Sequence, residues 1–295
     1  MISLREKQLT KGEICYIIIM YNYVRAGTRS ALVSAYNKLC SARKGETMVN
    51  FLIGLAKKTV EVKALYSSTK DFCRGYLVEN AFPDISVTVT PPDIAYERRR
   101  SAEERALEGL SPHEFPAEYL ETLALYRKIA EALVPHGIIL FHGSSLSVDG
   151  KGLIFTAKSG TGKSTHTRIW RRVYGERVKM INDDKPLIGI TDEGVTVYGT
   201  PWCGKHALGE NTSAPLHAVS VIERSLENRI SPLGKTEALL HLLSQTYRPR
   251  DGALVKMTLS LLDKLLSRVK VYRLGVNMED GAAIVAYRGM LEEGR

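Results

Sequence analysis

The alternation of apolar and polar positions becomes legible at Met48. Val49 to Leu55 and Val60 to Leu65 read as two strands joined by a polar turn around Lys57-Lys58. Ser68 or Thr69 can cap a short helix reaching Glu79. Ile85 to Thr90 alternates again and reads as a strand stopped by Pro91-Pro92. Charge dominates from Asp93 to His113, with Glu97-Arg98-Arg99-Arg100 and Glu103-Glu104-Arg105, and predicts a solvated helix or a linker. Pro116 stands where a helix would start. Tyr119, Leu120, Leu123, Tyr126, Ile129, Ala130 and Leu133 then recur at helical spacing, up to Pro135 and Gly137.

The texture then turns to alternating strands and helices. Ile138–Phe141 reads as a buried strand ending in His142-Gly143. Strand Gly152–Ala157 leads through a Gly-rich turn into a helix from Ser164 to about Tyr174, and strand Val178–Ile181 follows. Leu187–Ile190 and Val195–Tyr198 form a hairpin around Asp192-Glu193-Gly194. Strand Ala218–Glu223, helices Thr236–Tyr247 and Met257–Val269, strand Val271–Leu274 and a last helix from Glu279 complete the pattern. The expected division falls near residue 115, with a small α+β domain at 48–115 and an α/β domain at 116–295. The first 47 residues are poorly patterned; Ile14–Val24 suits a strand or a short buried helix. Two readings of them stay open: a native extension, or residues upstream of a true start at Met48.

Composition adds limits. The chain has 295 residues and a mass of 32.8 kDa, enough for one large domain or two small ones. At 44% hydrophobic and 25% charged residues it is neither fibrous nor disordered. No apolar run approaches the roughly 18 residues of a membrane-spanning helix, so a soluble, cytoplasmic protein without a membrane partner is expected. Four cysteines without a CxxC pair argue against a structural zinc site or a disulfide framework. The net charge is +9, but the first 47 residues carry eight Lys/Arg against three Asp/Glu. The rest is only mildly basic, and no nucleic-acid partner is expected.

The strongest chemical signal is Ala157-Lys158-Ser159-Gly160-Thr161-Gly162-Lys163-Ser164-Thr165. It fits the phosphate-loop pattern GxxxxGK[ST], with Ala157 in place of the first glycine. The glycines let successive backbone N–H groups converge on one anion, and the following helix adds its positive end. Residues Ser159 to Thr165 are thus the candidate nucleotide cradle. Lys163 would reach the β- and γ-phosphates of ATP, and Ser164 would hold Mg²⁺. His166 and Arg168, in the next turn, fit helix surface positions better than a nucleotide contact.

About 20 residues on, an apolar strand ends in Asn182-Asp183-Asp184. Side chains alternate along a strand, so two adjacent aspartates point apart unless the strand ends between them. One could join the Mg²⁺ shell while the other faces an acceptor. A third stretch, Tyr198 to His206, carries Trp202, Lys205 and His206 after a strand. Lys205 and His206 are weak candidates for balancing charge on a substrate, against an ordinary turn. Arg248 and Arg250, flanking Pro249, are weaker candidates for phosphate contact.

A phosphate loop, one short helix and then a strand ending in Asp-Asp, preceded by His142-Gly143, resembles the HPr kinase and phosphoenolpyruvate carboxykinase superfamily. The resemblance is specific over Phe141 to Pro186 and extends loosely over 115–295. It implies an α/β, P-loop-containing HPr kinase/PEP carboxykinase-like catalytic core, here with a smaller α+β N-terminal domain. It also implies phosphate and metal roles for Lys163 and Ser164, a general base at Asp183, a metal-linked carboxylate at Asp184, and His142 beside the base. A homo-oligomer is compatible with it. Where the family presents a further carboxylate downstream, Tyr198 to His206 has none, which bears on HPr as substrate and on a second Mg²⁺.

Three functions use these residues to different degrees. An ATP- and Mg-dependent kinase with a hydroxyl acceptor, on a protein or peptide serine or a small molecule, uses every element of the core. A nucleotide-binding regulatory ATPase would leave a base without purpose. A PEP carboxykinase-type enzyme needs more chain than 180 residues provide.

Overall fold

The computed structural model describes residues 48–204 and 206–292. The expectations for residues 1–47, the Ile14–Val24 element among them, and for Lys205 lie outside the described residues.

The two expected N-terminal strands form a hairpin, β1 (Val49–Leu55) and β2 (Lys58–Ala64), with β3 (Ile85–Thr88) added parallel to β2. The hairpin closes through Ala56 and Lys57, both at positive φ (48° and 64°), the twist that a two-residue hairpin loop requires. Phe51, Ile53 and Leu55 alternate into the core, as do Val60, Val62 and Ala64. Between β2 and β3 the helix expected to reach Glu79 is only α1 (Ser67–Phe72), followed by a 3₁₀ turn at Arg74–Tyr76. Gly75 lies inside that turn, where helix propensity is low.

Pro91 and Pro92 do end β3's strand run, but they open α2 (Pro91–Leu107). The Asp93 carboxylate accepts the Thr90 N–H at 3.0 Å and the Thr90 hydroxyl at 2.7 Å, closing a capping box. The charge-dense segment is therefore helical, but it is not simply a solvated helix. Arg127, on α3 (Ala117–Leu133), donates to Glu97 at 2.7 Å and Asp93 at 3.1 Å. Glu97 is buried, and the Arg127 guanidinium stacks on Tyr96.

Helix α3 turns Leu120, Ala124, Leu125, Ile129 and Leu133 to the small sheet. Among them sits Glu121, fully buried, accepting the N–H groups of Leu65 and Tyr66 and the hydroxyl of Thr69. One continuous apolar cluster joins this layer to Ile138, Leu140, Leu187 and Trp202. Residue 115 lies in the loop between α2 and α3, and Phe115 packs against this cluster.

The large sheet contains β4 (Ile138–Leu140), β5 (Ser144–Val148), β6 (Lys151–Thr156), β7 (Val178–Asn182), β8 (Leu187–Ile190), β9 (Val195–Tyr198), β10 (Ser213–Arg224), β11 (Arg229–Pro232) and β12 (Lys270–Val276). Its order is β4-β8-β9-β10-β6-β5-β7, with β12 also paired to β10 and β11 to β12. Strand β10 bridges the two parts: Ser213–Pro215 pair with β9, while Ala218 to Val221 lie between β6 and β12, parallel to both. The sheet curls along this strand.

Residues of β6 and β10 alternate between two helical layers. Ile154, Val219 and Val221 face α5 (Lys235–Gln245) and α6 (Gly252–Leu266). Leu153, Phe155, Ala218 and Ile222 face α4 (Lys163–Tyr174) and α7 (Gly281–Tyr287). The architecture is a mixed α/β fold with a small N-terminal sheet and a larger curled one. No helix among the described residues is long and apolar enough to cross a membrane.

Two strands escaped the sequence pattern. β5 pairs antiparallel with β6 and β7 and separates them. It carries buried serines where an apolar run would be expected: Ser144 donates to the Asp183 carbonyl and Ser145 to the Asn182 carbonyl. Its signal was Asp149-Gly150, both at positive φ (50° and 78°), a tight hairpin turn into β6. β11 is four residues at an edge and too short for periodicity.

Candidate functional site

β6 delivers the chain to the phosphate loop, and α4 begins at Lys163. Gly160 (φ 75°) and Gly162 (φ 126°) have backbones that L side chains rarely adopt, while a Cβ at either would meet nothing. Conformation, not space, demands glycine at both. Ala157, in the pattern's first glycine position, is buried in the core and is not among the residues at positive φ, so the substitution is tolerated. The Lys163 ammonium donates to the Ala157 carbonyl at 3.1 Å. Burial lowers its pKa, and Asp184 partly offsets that. Ser159, Gly160 and Ser164 are exposed; Thr161, Gly162 and Thr165 are half-buried. Arg224, at the end of β10, donates to the carbonyls of Gly160 at 2.7 Å and Thr161 at 3.3 Å, tying the loop to the sheet. Arg224 carries no signal in the sequence pattern.

β7 delivers the two aspartates, and Asn182 organises them. It is fully buried, and its amide donates to the Thr200 carbonyl at 3.0 Å and the Thr200 hydroxyl at 3.1 Å. Its carbonyl oxygen accepts the N–H groups of Asp184 at 2.8 Å and Lys185 at 2.6 Å, an Asx turn that splits the aspartates apart. The sequence signal for this turn is an Asn at a strand end ahead of a proline.

Asp183 turns inward. It is only 3% exposed, and Oδ1 accepts the Gly204 N–H at 2.6 Å. Its Oδ2 is buried with no hydrogen-bond partner. A Cβ at Gly204 would come within 3.2 Å of that oxygen, so a glycine suits this position. Asp184 turns outward, with a side chain 32% exposed and Oδ1 at 3.3 Å from His142 Nε2 and 3.7 Å from the Lys185 ammonium. Burial alone would raise its pKa, but the His142 hydrogen bond and the charges of Lys185 and Lys163 hold it below the ordinary carboxylate range.

His142 is thus brought to Asp184 rather than to Asp183, a correction to the expected pairing. The cause is register: Ser144 and Gly143 bind the carbonyls of Asp183 and Asp184, which sets His142 level with the second aspartate. His142 Nδ1 lies 2.9 Å from Gln245 Oε1 at the end of α5. Both ring nitrogens of His142 thus lie beside oxygen atoms, Gln245 Oε1 and Asp184 Oδ1.

The loop after β9 has a structural task. Trp202 is buried, donates to the Thr122 carbonyl of α3 at 3.0 Å and packs on Tyr126. That anchor presents the Gly204 N–H to Asp183. His206 is exposed. Burial and the two aspartates push the Cys203 thiol up to about 11. Arg250 stacks on Tyr96, away from the phosphate loop, and Arg248 is exposed. Arg168 is exposed on α4, as expected.

His166 is a second correction, since it is not on the helix surface. It is buried against Phe155, and its Nε2 accepts the Trp170 indole N–H at 2.9 Å. Burial pushes its pKa down to about 3 from an ordinary 6.5. The unfolded chain then binds the extra proton first, so stability is full above the ordinary value and falls as pH drops towards 3. About 2 kcal/mol should be lost between pH 6.5 and 5 through this residue. Denaturant titrations at those two pH values check it: His166→Gln should lose about that much less than the parent. Equal losses would place the acid sensitivity elsewhere.

The donor types suit Mg²⁺: the Ser164 hydroxyl and the carboxylates of Asp183, one oxygen of which has no hydrogen-bond partner, and Asp184 are all hard oxygen ligands. Among the described residues no three His, Cys, Asp or Glu side chains form a protein-only cage. Mg²⁺ typically takes one or two carboxylates and completes its shell with phosphate and water.

No protein-family model matches the chain, and no curated protein matches it. Among solved structures it is similar to the Hpr(Ser) kinase/phosphatase from Coxiella burnetii, at 10% identity and a TM-score of 0.30. The match covers 52% of this chain and 97% of that one, and it is a distant resemblance of fold.

Proposed function

We propose that the protein is an ATP- and Mg-dependent kinase that transfers the γ-phosphoryl group to a hydroxyl acceptor. One observation carries the reading: a half-exposed carboxylate, Asp184, paired with His142 and within electrostatic reach of the phosphate-loop lysine. Phosphoryl transfer needs little covalent help from a protein; it needs held phosphates, neutralised charge and a proton acceptor at the nucleophile.

Ser159 to Thr165 hold the phosphates, and Lys163 leaves the Ala157 carbonyl to meet them. Mg²⁺ would be held by Ser164 and Asp183, and it would neutralise charge on the β- and γ-phosphates. Asp184 accepts the acceptor's hydroxyl proton, with His142 fixing its orientation. This exchanges the roles first expected for the two aspartates. A base must reach a substrate proton, and Asp184 is the one that faces outward.

The test is incubation with γ-labelled ATP and Mg²⁺, with a metabolite pool and separately with peptides and protein extract. The expected result is label on one discrete acceptor, lost in Lys163→Ala together with nucleotide binding. Label released only as free phosphate from both pools would overturn the kinase reading.

A further inference from the structure

The glycine-rich loop ahead of α4 is held from outside by one side chain. Gly160 and Gly162 supply backbone angles that other residues rarely adopt, but glycine also leaves those angles free to change. The loop's own bond, from the Thr161 N–H to the Lys158 carbonyl, is long at 3.3 Å. Gly162 caps α4 without a side-chain hydrogen bond, so the first N–H groups of that helix remain for a guest.

Arg224 supplies the constraint, and its place on β10 is why it can. Val221 pairs with Thr156 of β6, so Arg224, three residues on, stands level with the loop that follows β6. Ile222 packs in the α4 layer, and side chains two apart on a strand share a face. Arg224 therefore lies on the side where the loop turns into α4. Its strand is paired to β6 as far as Val221 and to β12 as far as the Arg224–Val276 pair. From that base the guanidinium takes two successive carbonyls, Gly160 through Nη2 at 2.7 Å and Thr161 through Nε at 3.3 Å. A guanidinium is a planar fork, so two bonds set the direction of these carbonyls as well as their position.

In a trans peptide each carbonyl points opposite to the N–H of the next residue. Drawing the Gly160 and Thr161 carbonyls towards Arg224 thus turns the Thr161 and Gly162 N–H groups to the other side of the loop. Resting on the kinase reading above, we propose that Arg224 is a positioning residue for the polyphosphate chain of the nucleotide. It acts through the loop rather than on the phosphates, and it keeps the loop amides turned inward before the anion arrives. Preorganisation of this kind reduces the ordering that binding must impose, so its loss weakens affinity. Proton transfer at Asp184 does not depend on it, so the KM for ATP should rise with a smaller change in kcat.

The test uses the full chain as parent, Arg224→Met and Arg224→Lys. A fluorescent nucleotide is titrated with Mg²⁺ present, and Mg-tripolyphosphate then competes for the site. Arg224→Met keeps the stem and loses both bonds, and Arg224 is exposed, so folding should be undisturbed. The dissociation constants for nucleotide and tripolyphosphate should both rise about ten- to hundredfold. Arg224→Lys keeps the charge without the fork and should recover only a small part of the loss. Hydrogen exchange without nucleotide should quicken at Gly160 to Gly162 in both variants, with β6 and β10 at parental rates. Parental affinity in Arg224→Met would overturn the assignment and leave the kinase standing. So would full recovery in Arg224→Lys, which would leave a role for charge alone, or faster exchange spread through β6 and β10, which would assign Arg224 to the fold. A parent that binds neither nucleotide nor tripolyphosphate would overturn the kinase reading as well.

Discussion

Asp184→Asn is expected to reduce phosphoryl transfer by about 10²- to 10⁴-fold, the usual contribution of a positioned base, with nucleotide affinity changed only a few-fold. The amide keeps the shape of the carboxylate but takes up no proton. It also removes the charge that His142 and Lys185 face at 3.3 Å and 3.7 Å. Asp183→Asn should behave differently. Asparagine still offers an oxygen to the Gly204 N–H, so the loop stays placed. What weakens is the hold on Mg²⁺, and the variant should recover much of its rate as Mg²⁺ is raised. Single-turnover transfer from γ-labelled ATP across a Mg²⁺ titration separates the two. If Asp183→Asn were dead at saturating Mg²⁺ while Asp184→Asn worked near the parent rate, Asp183 would be the base, as the sequence resemblance alone implied.

Arg127→Met should cost the fold about 3–5 kcal/mol, the usual penalty for breaking a buried ion pair from one side. The Arg127 side chain is 12% exposed, and its partners Asp93 and Glu97 are 15% and 4% exposed. Losing the guanidinium leaves Glu97 charged in a place water hardly reaches. Lys128, at 2.9 Å from Asp93, compensates only that residue. Adding Glu97→Gln to Arg127→Met should restore a large part of the loss, because the stranded charge is then gone. Urea unfolding of the parent, single and double variants measures this. A single variant within about 0.5 kcal/mol of the parent would mean that α2 is held by apolar contacts instead.

Both outcomes bear on how far the sequence could be read. Most of the expected strands and helices are present, because a half-buried strand or helix must show its face in the period of its side chains. The glycine-rich loop ahead of α4 is legible for a different reason. Its glycines at 160 and 162 answer to backbone angles and its lysine to charge, and both demands are local in the chain. The same holds for Asp183-Asp184 as a pair of acids at a strand end.

What the sequence left open depends on groups that meet from far apart. The run from Asp93 to His113 suggests a solvated helix or a linker because a charge run alone cannot reveal Arg127, some 30 residues on, beneath it. Strand β5 hid because serines satisfied by the β7 carbonyls can be buried without an apolar pattern. His166 looked like a surface residue until Trp170 and Phe155 closed over it.

By itself, then, the sequence determined most of the elements, the glycine-rich loop ahead of α4 and the two acids at the end of β7. Which acid faces outward, which one His142 touches and what covers the far side of the pair were decided by tertiary structure. The reason is physical. Backbone angle and side-chain period are properties of a few consecutive residues. The direction of a carboxylate at a strand end is set by its partners, here the Asn182 turn, the Gly204 N–H and the register of His142.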